Sequence, residues 1–297
     1  MLIGANLIVN EATPSIIDLA QRAEDRGMNC IFQGEHSHIP VTTVYPATAG
    51  TGGKIPEFYR RFPDVFVTLA AAAAVTTRIR LGTGVALVAE HNSFHLAKAT
   101  ATLDRISGGR LDFGVGYGWN PPELANNGVP WEDRRQAFGE KLAVLKRLWT
   151  EEAVASDSTY SSFTESWVWP KPEQQPHPPV LLGAAGFRWQ LEDVVRLCDG
   201  WYPMDRPEVP ARLKTLRKLA ADAGRPQPTI SINMMAGQMP GASWYWQDAA
   251  AMEELLQKAA AYQELGVQRI VVGIPMDTLD NATRGLDALA TLIDRFA

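Results

Sequence analysis

Glu35 and His36 stand side by side in the segment Gly34-Glu-His-Ser-His-Ile-Pro40, directly after a strand-like run at 29–33. Histidine titrates near working pH and an adjacent carboxylate can orient and tune it, so this pair is the best acid/base candidate in the chain. A hydrogen-bonded structural histidine is the plain alternative. Adding His38 makes a metal site conceivable, but the other strand ends supply almost no further imidazole or carboxylate, and no metal is expected. A Schiff-base lyase would need a lysine on a strand, and the lysines fall in loops or helical patterns.

Two glycine-rich segments point to a ligand. The strand candidate at 111–117 runs through Gly114, Gly116, Tyr117 and Gly118 to Trp119. Glycines at the carboxyl end of a strand let a flat ring approach the backbone. The run nearly spells the dinucleotide fingerprint, but Trp119 replaces its last glycine. Asn120-Pro121-Pro122 follows, so no helix is expected to open there, and the Rossmann reading fails. The second segment is Gly183-Ala184-Ala185-Gly186, between a strand and a helix. Small residues expose backbone N–H groups where the helix dipole favours an anion, and Arg188 could add charge, so this is a candidate phosphate seat. A turn that merely connects is the competing reading.

The elements that must hold these residues alternate along the chain. Strand patterns occur at 2–9, 29–33, 79–87, 111–117, 179–183, 199–203, 228–235 and 268–273. Helical patterns lie between them at 14–26, 63–76, 94–105, 132–150, 188–197, 207–223, 247–265 and 278–296. Strict alternation predicts a parallel sheet with crossover helices, and several strands are apolar on both faces, as in Ile270-Val271-Val272. The expected fold is α/β, a (β/α)8 TIM barrel with loop insertions at the carboxyl-terminal face, in one domain over 1–297. An open doubly wound sheet is the weaker competitor. Long connections at 34–62, 151–178 and 236–246 interrupt the pattern. Gly50, Gly52, Gly53 and Pro56 make the first read as a lid.

Composition excludes several classes. With 46% hydrophobic and 21% charged residues over 297 positions, the chain has the balance of a soluble globular protein. A net charge of −5 argues against nucleic-acid binding, which needs a basic face. The longest apolar run, near Leu69–Val75, is too short for a membrane span, and no signal peptide is visible. Cys30 and Cys198 are too few for a disulfide framework and read as buried thiols, so a cytoplasmic location is expected. Several of the nine tryptophans fall in loops, where they could line a cleft or an oligomer interface.

Several motifs together resemble the bacterial-luciferase-like flavin oxidoreductases. They are Leu81-Gly-Thr-Gly-Val85, Ala101-Thr-Leu-Asp-Arg105, Ser107-Gly-Gly-Arg110 and Gly114-Val-Gly-Tyr-Gly-Trp-Asn120. Glu35-His-Ser-His-Ile-Pro40, Trp169-Pro-Lys-Pro172 and Asp199-Gly-Trp-Tyr202 resemble the branch dependent on coenzyme F420. The resemblance implies a TIM barrel whose deazaflavin ring lies at the strand ends, backed by a bulge with a non-prolyl cis bond that maps onto Gly84–Val85. It maps cofactor contacts onto Gly116 to Trp119 and onto Gly183 to Gly186, with catalysis by His36 oriented by Glu35. Relatives acting on sugar phosphates carry a carboxylate where Trp119 stands, which disfavours that substrate. The branch usually has hydroxyl residues at the positions of Ala184 and Ala185. The expected function is hydride transfer between F420 and a small organic substrate, in a homodimer. An FMN-dependent monooxygenase is the alternative within the fold. A cofactor-free binding or regulatory barrel is the alternative of another class.

Overall fold

The structure, a computed structural model, describes residues 1–44, 53–235 and 244–296. The glycines at 50 and 52, and most of the connection at 236–246, lie outside these residues. In chain order the strands are β1 (Leu2–Leu7), β2 (Cys30–Gln33), β3 (Arg80–Thr83), β4 (Ala86–Leu87), β5 (Leu111–Gly116), β6 (Val154–Ser158), β7 (Ser161–Ser166), β8 (Val180–Leu182), β9 (Gly200–Trp201), β10 (Thr229–Met234) and β11 (Arg269–Gly273). The helices are α1 (Ile16–Asp25), α2 (Val65–Val75), α3 (Ser93–Ile106), α4 (Pro121–Asn126), α5 (Arg134–Thr150), α6 (Arg188–Leu197), α7 (Val209–Asp222), α8 (Ala249–Glu264) and α9 (Leu279–Phe296). All strands except β6 and β7 pair in parallel in the order β3-β2-β1-β11-β10-β9-β8-β5-β4, and β3 also pairs with β5, so the sheet closes. With β3 and β4 as halves of one interrupted strand, this is the (β/α)8 barrel; the open sheet is excluded.

Two differences from the sequence reading stand out. β6 and β7 form an antiparallel hairpin inside the connection at 151–178. A helix, α4, does open directly after Asn120, correcting the expectation that none would. Proline lacks an N–H and has a helical φ, so Pro121 and Pro122 suit the first turn, where no intrahelical donor is required.

Alternation along each strand sorts side chains into two cores. Ile31, Leu81, Phe113 and Val115 belong to the large apolar layer shared with the helices. Cys30, Phe32, Leu181, Tyr202 and Val271 fill the barrel's own interior, with Val85 packed on them. Each fully buried aliphatic or Phe side chain contributes roughly 1.5–3 kcal/mol by leaving water. At the amino end, Asp112 accepts from Arg80 Nη2 and from Arg269 Nη1, both at 2.6 Å. Burial opposes ionisation of Asp112, but the two guanidiniums outweigh it and hold the carboxyl below its ordinary range.

The third strand is bulged. Gly82 pairs with Asp112 and Ala86 with Val115, so the third strand carries one more residue than β5 over this stretch. The Gly84–Val85 bond is cis, as the resemblance implied. The surplus pushes Val85 against β5 and β8. A Cβ at Gly116 would come within 2.7 Å of Val85 Cγ2, and one at Gly183 within 2.5 Å of Val85 Cγ1. A Cβ at Gly114 would overlap the Thr83 carbonyl oxygen. These glycines therefore accommodate the protein's own bulge, not directly a ligand as the sequence suggested.

Gly114→Ala is expected to cost more than about 3 kcal/mol, because a backbone carbonyl cannot turn aside as a side chain can. At Gly108, where a Cβ meets nothing within 4 Å, alanine should cost only the left-handed backbone penalty of roughly 1–2 kcal/mol. Urea melts of both variants test this, and equal losses would contradict the steric account.

Candidate active site

A cavity of about 190 Å³ opens at the carboxyl ends of the strands. Gly84 and Val85 of the bulge line it, with Glu35 and His36 from after β2 and Trp119 from after β5. Phe58, Tyr59 and Phe62, from the first long connection, complete an aromatic wall. The His36 ring lies 5.3 Å from Tyr59, 5.8 Å from Phe62 and 5.5 Å from Trp119, centroid to centroid. Asn6 and Asn233, from the ends of β1 and β10, add polar groups and contact each other at 3.4 Å.

His36 is 9% exposed, and both its ring nitrogens are engaged. Nδ1 lies 2.7 Å from Glu123 Oε2, and Nε2 accepts from Trp119 Nε1 at 3.2 Å. An indole N–H only donates, so in the neutral ring Nε2 carries the lone pair and Nδ1–H donates to Glu123. Glu123 is fully buried in α4 and also accepts from Ser37 N and Asn120 Nδ2. Against the penalty of burial, its bonds to His36 and Asn120 hold this carboxyl below its ordinary range.

Glu35 does not orient His36, which corrects the sequence reading. Its carboxylate accepts from Leu87 N at 2.8 Å and meets His91 Nε2 at 2.8 Å. Adjacent residues leaving a strand point in different directions, and the acid that reaches His36 comes from 87 positions away. The one sequence signal for Glu123 was its place three residues after Asn120, at the start of a proline-opened helix.

A third carboxyl, Glu90, sits behind Glu123 in the short turn after β4. Burial, then the like charges of Glu123 and Glu35, push its pKa up to about 9. His91 is shifted the other way from a buried base: burial opposes its protonation, but the bond to Glu35 and the charge of that carboxylate raise it.

The remaining candidates divide. Gly84, Val85 and Trp119 reach the cavity. Gly116 faces Val85, while Gly118, at φ +86°, turns the chain beside Glu90. Tyr117 faces the helices: its hydroxyl donates to Asp193 at 2.9 Å and its ring packs on Phe138 and Trp189. At the turn before α6, Gly183 N is spent in the sheet on Val115 O. The amides of Gly186 and Phe187 both donate to Gln190 Oε1, at 2.8 and 3.0 Å. Arg188 pairs with Glu192 at 3.0 Å, away from the turn. The cation at this turn is instead Arg212, donating to Ala185 O at 2.7 Å. Cys30 and Cys198 are buried free thiols. Among the described residues no cluster suits a metal ion, and no helix is long and apolar enough to cross a membrane.

The fold and the site define a barrel with a buried histidine–carboxylate pair at its carboxyl mouth. The chain matches the family described as luciferase-like monooxygenase over residues 4–290, and it belongs to that family. It is 38% identical over 274 residues to an uncharacterized protein of Mycobacterium tuberculosis, covering 91% of each chain. It is 26% identical over 282 residues to an F420-dependent glucose-6-phosphate dehydrogenase of Kineococcus radiotolerans, covering 90% of this chain and 77% of that one. A flavin-dependent trigonelline monooxygenase, oxygenase component, of Acinetobacter baylyi is 30% identical over 172 residues, 57% of this chain and 42% of that one. Among solved structures, a monooxygenase from Streptomyces bottropensis aligns over the whole of both chains with a TM-score of 0.76 and 24% identity. The family thus includes F420-dependent and flavin-dependent oxidoreductases.

The raised pKa of Glu90 has a consequence for stability. Its value of about 9 in the fold exceeds the ordinary 4.5, so the unfolded chain gives up this proton first as pH rises. The stability contributed is fully present below about pH 4.5 and is lost as pH climbs towards 9. Glu90→Gln cannot ionise and is expected to be more stable than wild type at pH 7 by on the order of 2–3 kcal/mol. Denaturant melts should show the gap closing at pH 4; a gap that persisted there would assign the effect to packing.

Proposed function

We propose that this protein is an oxidoreductase that transfers a hydride between bound deazaflavin coenzyme F420 and a small organic substrate, with His36 as acid/base. The observation that carries the reading is the buried His36–Glu123 pair, whose histidine lines the cavity. Oxidation of an alcohol or reduction of a carbonyl moves a proton together with a hydride, and His36 Nε2 is the basic atom turned towards Trp119 at the cavity. In this reading the substrate hydroxyl takes the place of the Trp119 N–H at Nε2. Glu123 holds the ring in the required tautomer and stabilises the imidazolium. Glu35, tied to Leu87 N and His91, keeps the mouth in shape.

The residues present fit a flat, largely apolar ring. Most of the residues that line the cavity are apolar or aromatic, and Gly84 and Val85 of the bulge are among them. Gly84, Val85 and Trp119 would hold the ring, and Phe58, Tyr59 and Phe62 would exclude water. When bound, the deazaflavin supplies or accepts the hydride. The turn Gly183–Gly186 remains our candidate for its anionic tail, through the amides of Ala184 and Ala185 with Arg212 beside them. Gln190 already holds the amides of Gly186 and Phe187, so an anion there must compete with it. The flavin-dependent relative favours a second reading, FMN-dependent oxygenation in the same cavity.

Titration of the purified protein with F420 and with FMN, followed by tryptophan quenching, separates the readings. Tight binding of F420 alone is expected; preference for FMN would favour oxygen chemistry, and binding of neither would favour a cofactor-free barrel. His36→Ala should keep cofactor affinity and lower turnover by roughly 10²-fold, the scale of lost general acid–base catalysis. Unchanged turnover would remove His36 from that role. Ala185→Asp, at an exposed position of the turn, should weaken cofactor binding at least tenfold by charge repulsion. Unaltered affinity would put the anionic tail elsewhere.

A further inference from the structure

Behind His36 the molecule contains a second cavity, of about 490 Å³. It is lined by Glu90, His91, Asn127, Lys141, Tyr160 and Ser161 among others, and shares no lining residue with the first cavity. His36 belongs to the front cavity and Glu90 to the rear one, and Glu123 is buried without exposure between them.

Side chains of both groups and one shared amide occupy the space between the cavities. His36 Nδ1 is 2.7 Å from Glu123 Oε2. Asn127 Nδ2 holds Glu90 beside Glu123, donating to the Glu123 backbone carbonyl at 3.0 Å and to Glu90 Oε2 at 3.4 Å. Glu90 Oε1 is buried with no hydrogen-bond donor among the described residues. A buried carboxylate oxygen without a donor is costly, whereas a carboxylic acid can itself donate to a neighbouring carboxylate. Two carboxyls that contend for one proton, with Glu123 held ionised by His36, leave that proton on Glu90. Lys141 approaches from α5 but spends its ammonium on the carbonyls of Ala89 and His91.

We propose that His36 exchanges its proton with solvent through Glu123 and Glu90 into the rear cavity, not through the cavity where the chemistry occurs. The proposal rests on the reading of His36 as acid/base. A ligand seated among the aromatic residues around His36 would shut out water from the front. During oxidation, His36 Nε2 takes the hydroxyl proton of the substrate and its Nδ1 proton passes to Glu123. Glu90 then releases its proton to water or a buffer base in the rear cavity, and the proton on Glu123 moves over to Glu90. One proton enters at Nε2, one leaves at Glu90 and no electron travels this path; His36 is left as its Nε2–H tautomer, and the reverse sequence in reduction restores Nδ1–H. Glu35 and His91 also span the wall between the cavities, but among the described residues no hydrogen bond joins either to His36.

The first test needs no cofactor. Infrared spectra of the protein at pH 7 should contain a deuterium-sensitive band of a protonated buried carboxyl that Glu90→Gln removes. Retention of the full band in that variant would overturn the proposal. In single turnovers with bound cofactor, Glu90→Gln should slow the proton-coupled step about tenfold or more and enlarge the solvent deuterium isotope effect. Added imidazole or formate, reaching the rear cavity, should restore the rate. Glu90→Asp, which keeps a titrating carboxyl, should recover part of it without rescue. If Glu90→Gln reacts like wild type while His36→Ala is impaired, the relay is wrong and the acid/base reading stands. If His36→Ala also reacts like wild type, both fall.

Discussion

Between Gly82 and Ala86 the third strand carries a surplus residue that its ladder with β5 cannot absorb. Val85 is the side chain displaced by that surplus, and it reaches the space in front of two neighbouring strands. Positions 116 and 183 can then carry no side chain, and position 114 must yield to the Thr83 carbonyl. Three strands thus meet around one bulge, and Gly84 and Val85 become part of the wall of the cavity. The placement of His36, Trp119 and the aromatic wall all refers to this backbone feature. Bulges re-aim side chains at the rims of barrels, and here the re-aimed segment shapes the site itself.

The two ends of the barrel treat buried charge in opposite ways. At the amino end, Asp112 sits between Arg80 and Arg269, so its charge is met twice over and proton exchange is suppressed. A buried ion pair of this kind adds little net stability over an apolar replacement, but breaking one partner is costly. At the carboxyl end, Glu35, Glu90 and Glu123 gather around two histidines, with the one nearby lysine turned to backbone carbonyls. That balance is short of positive charge, and one carboxyl answers by keeping its proton. A region with protons to spare near neutral pH is suited to acid/base work, and the neutralised end is suited to holding the barrel shut.

Much of this was legible in the sequence. Hydrophobic periodicity and turn residues placed each barrel strand and its crossover helix, because burial on two faces imposes a pattern on consecutive residues. The motifs around Gly84–Val85 and Gly114–Trp119 point to the family the chain belongs to, and residue type and a place after a strand single out His36, which lines the cavity. The hairpin β6–β7 was missed because its alternation is weak, with Ser, Asp and Thr on a largely exposed surface. Helix α4 is not legible because a proline pair marks a break in a sequence pattern as readily as the first turn of a helix.

The sequence by itself determined the order of elements, the alternating α/β class and the presence of a histidine after the second strand, since these depend on local spacing. Only the tertiary structure decided which carboxylate serves that histidine. Glu35 is its covalent neighbour yet turns to Leu87 and His91, while Glu123 arrives from another loop of the barrel. Only the closed sheet showed that the glycines make room for Val85, and that Gln190 and Arg212, not Arg188, meet the turn at Gly183–Gly186. The physical reason is the same in each case. Hydrogen bonds and steric exclusion act across a few ångströms of space, and in a barrel the residues that close are separated by whole βα units.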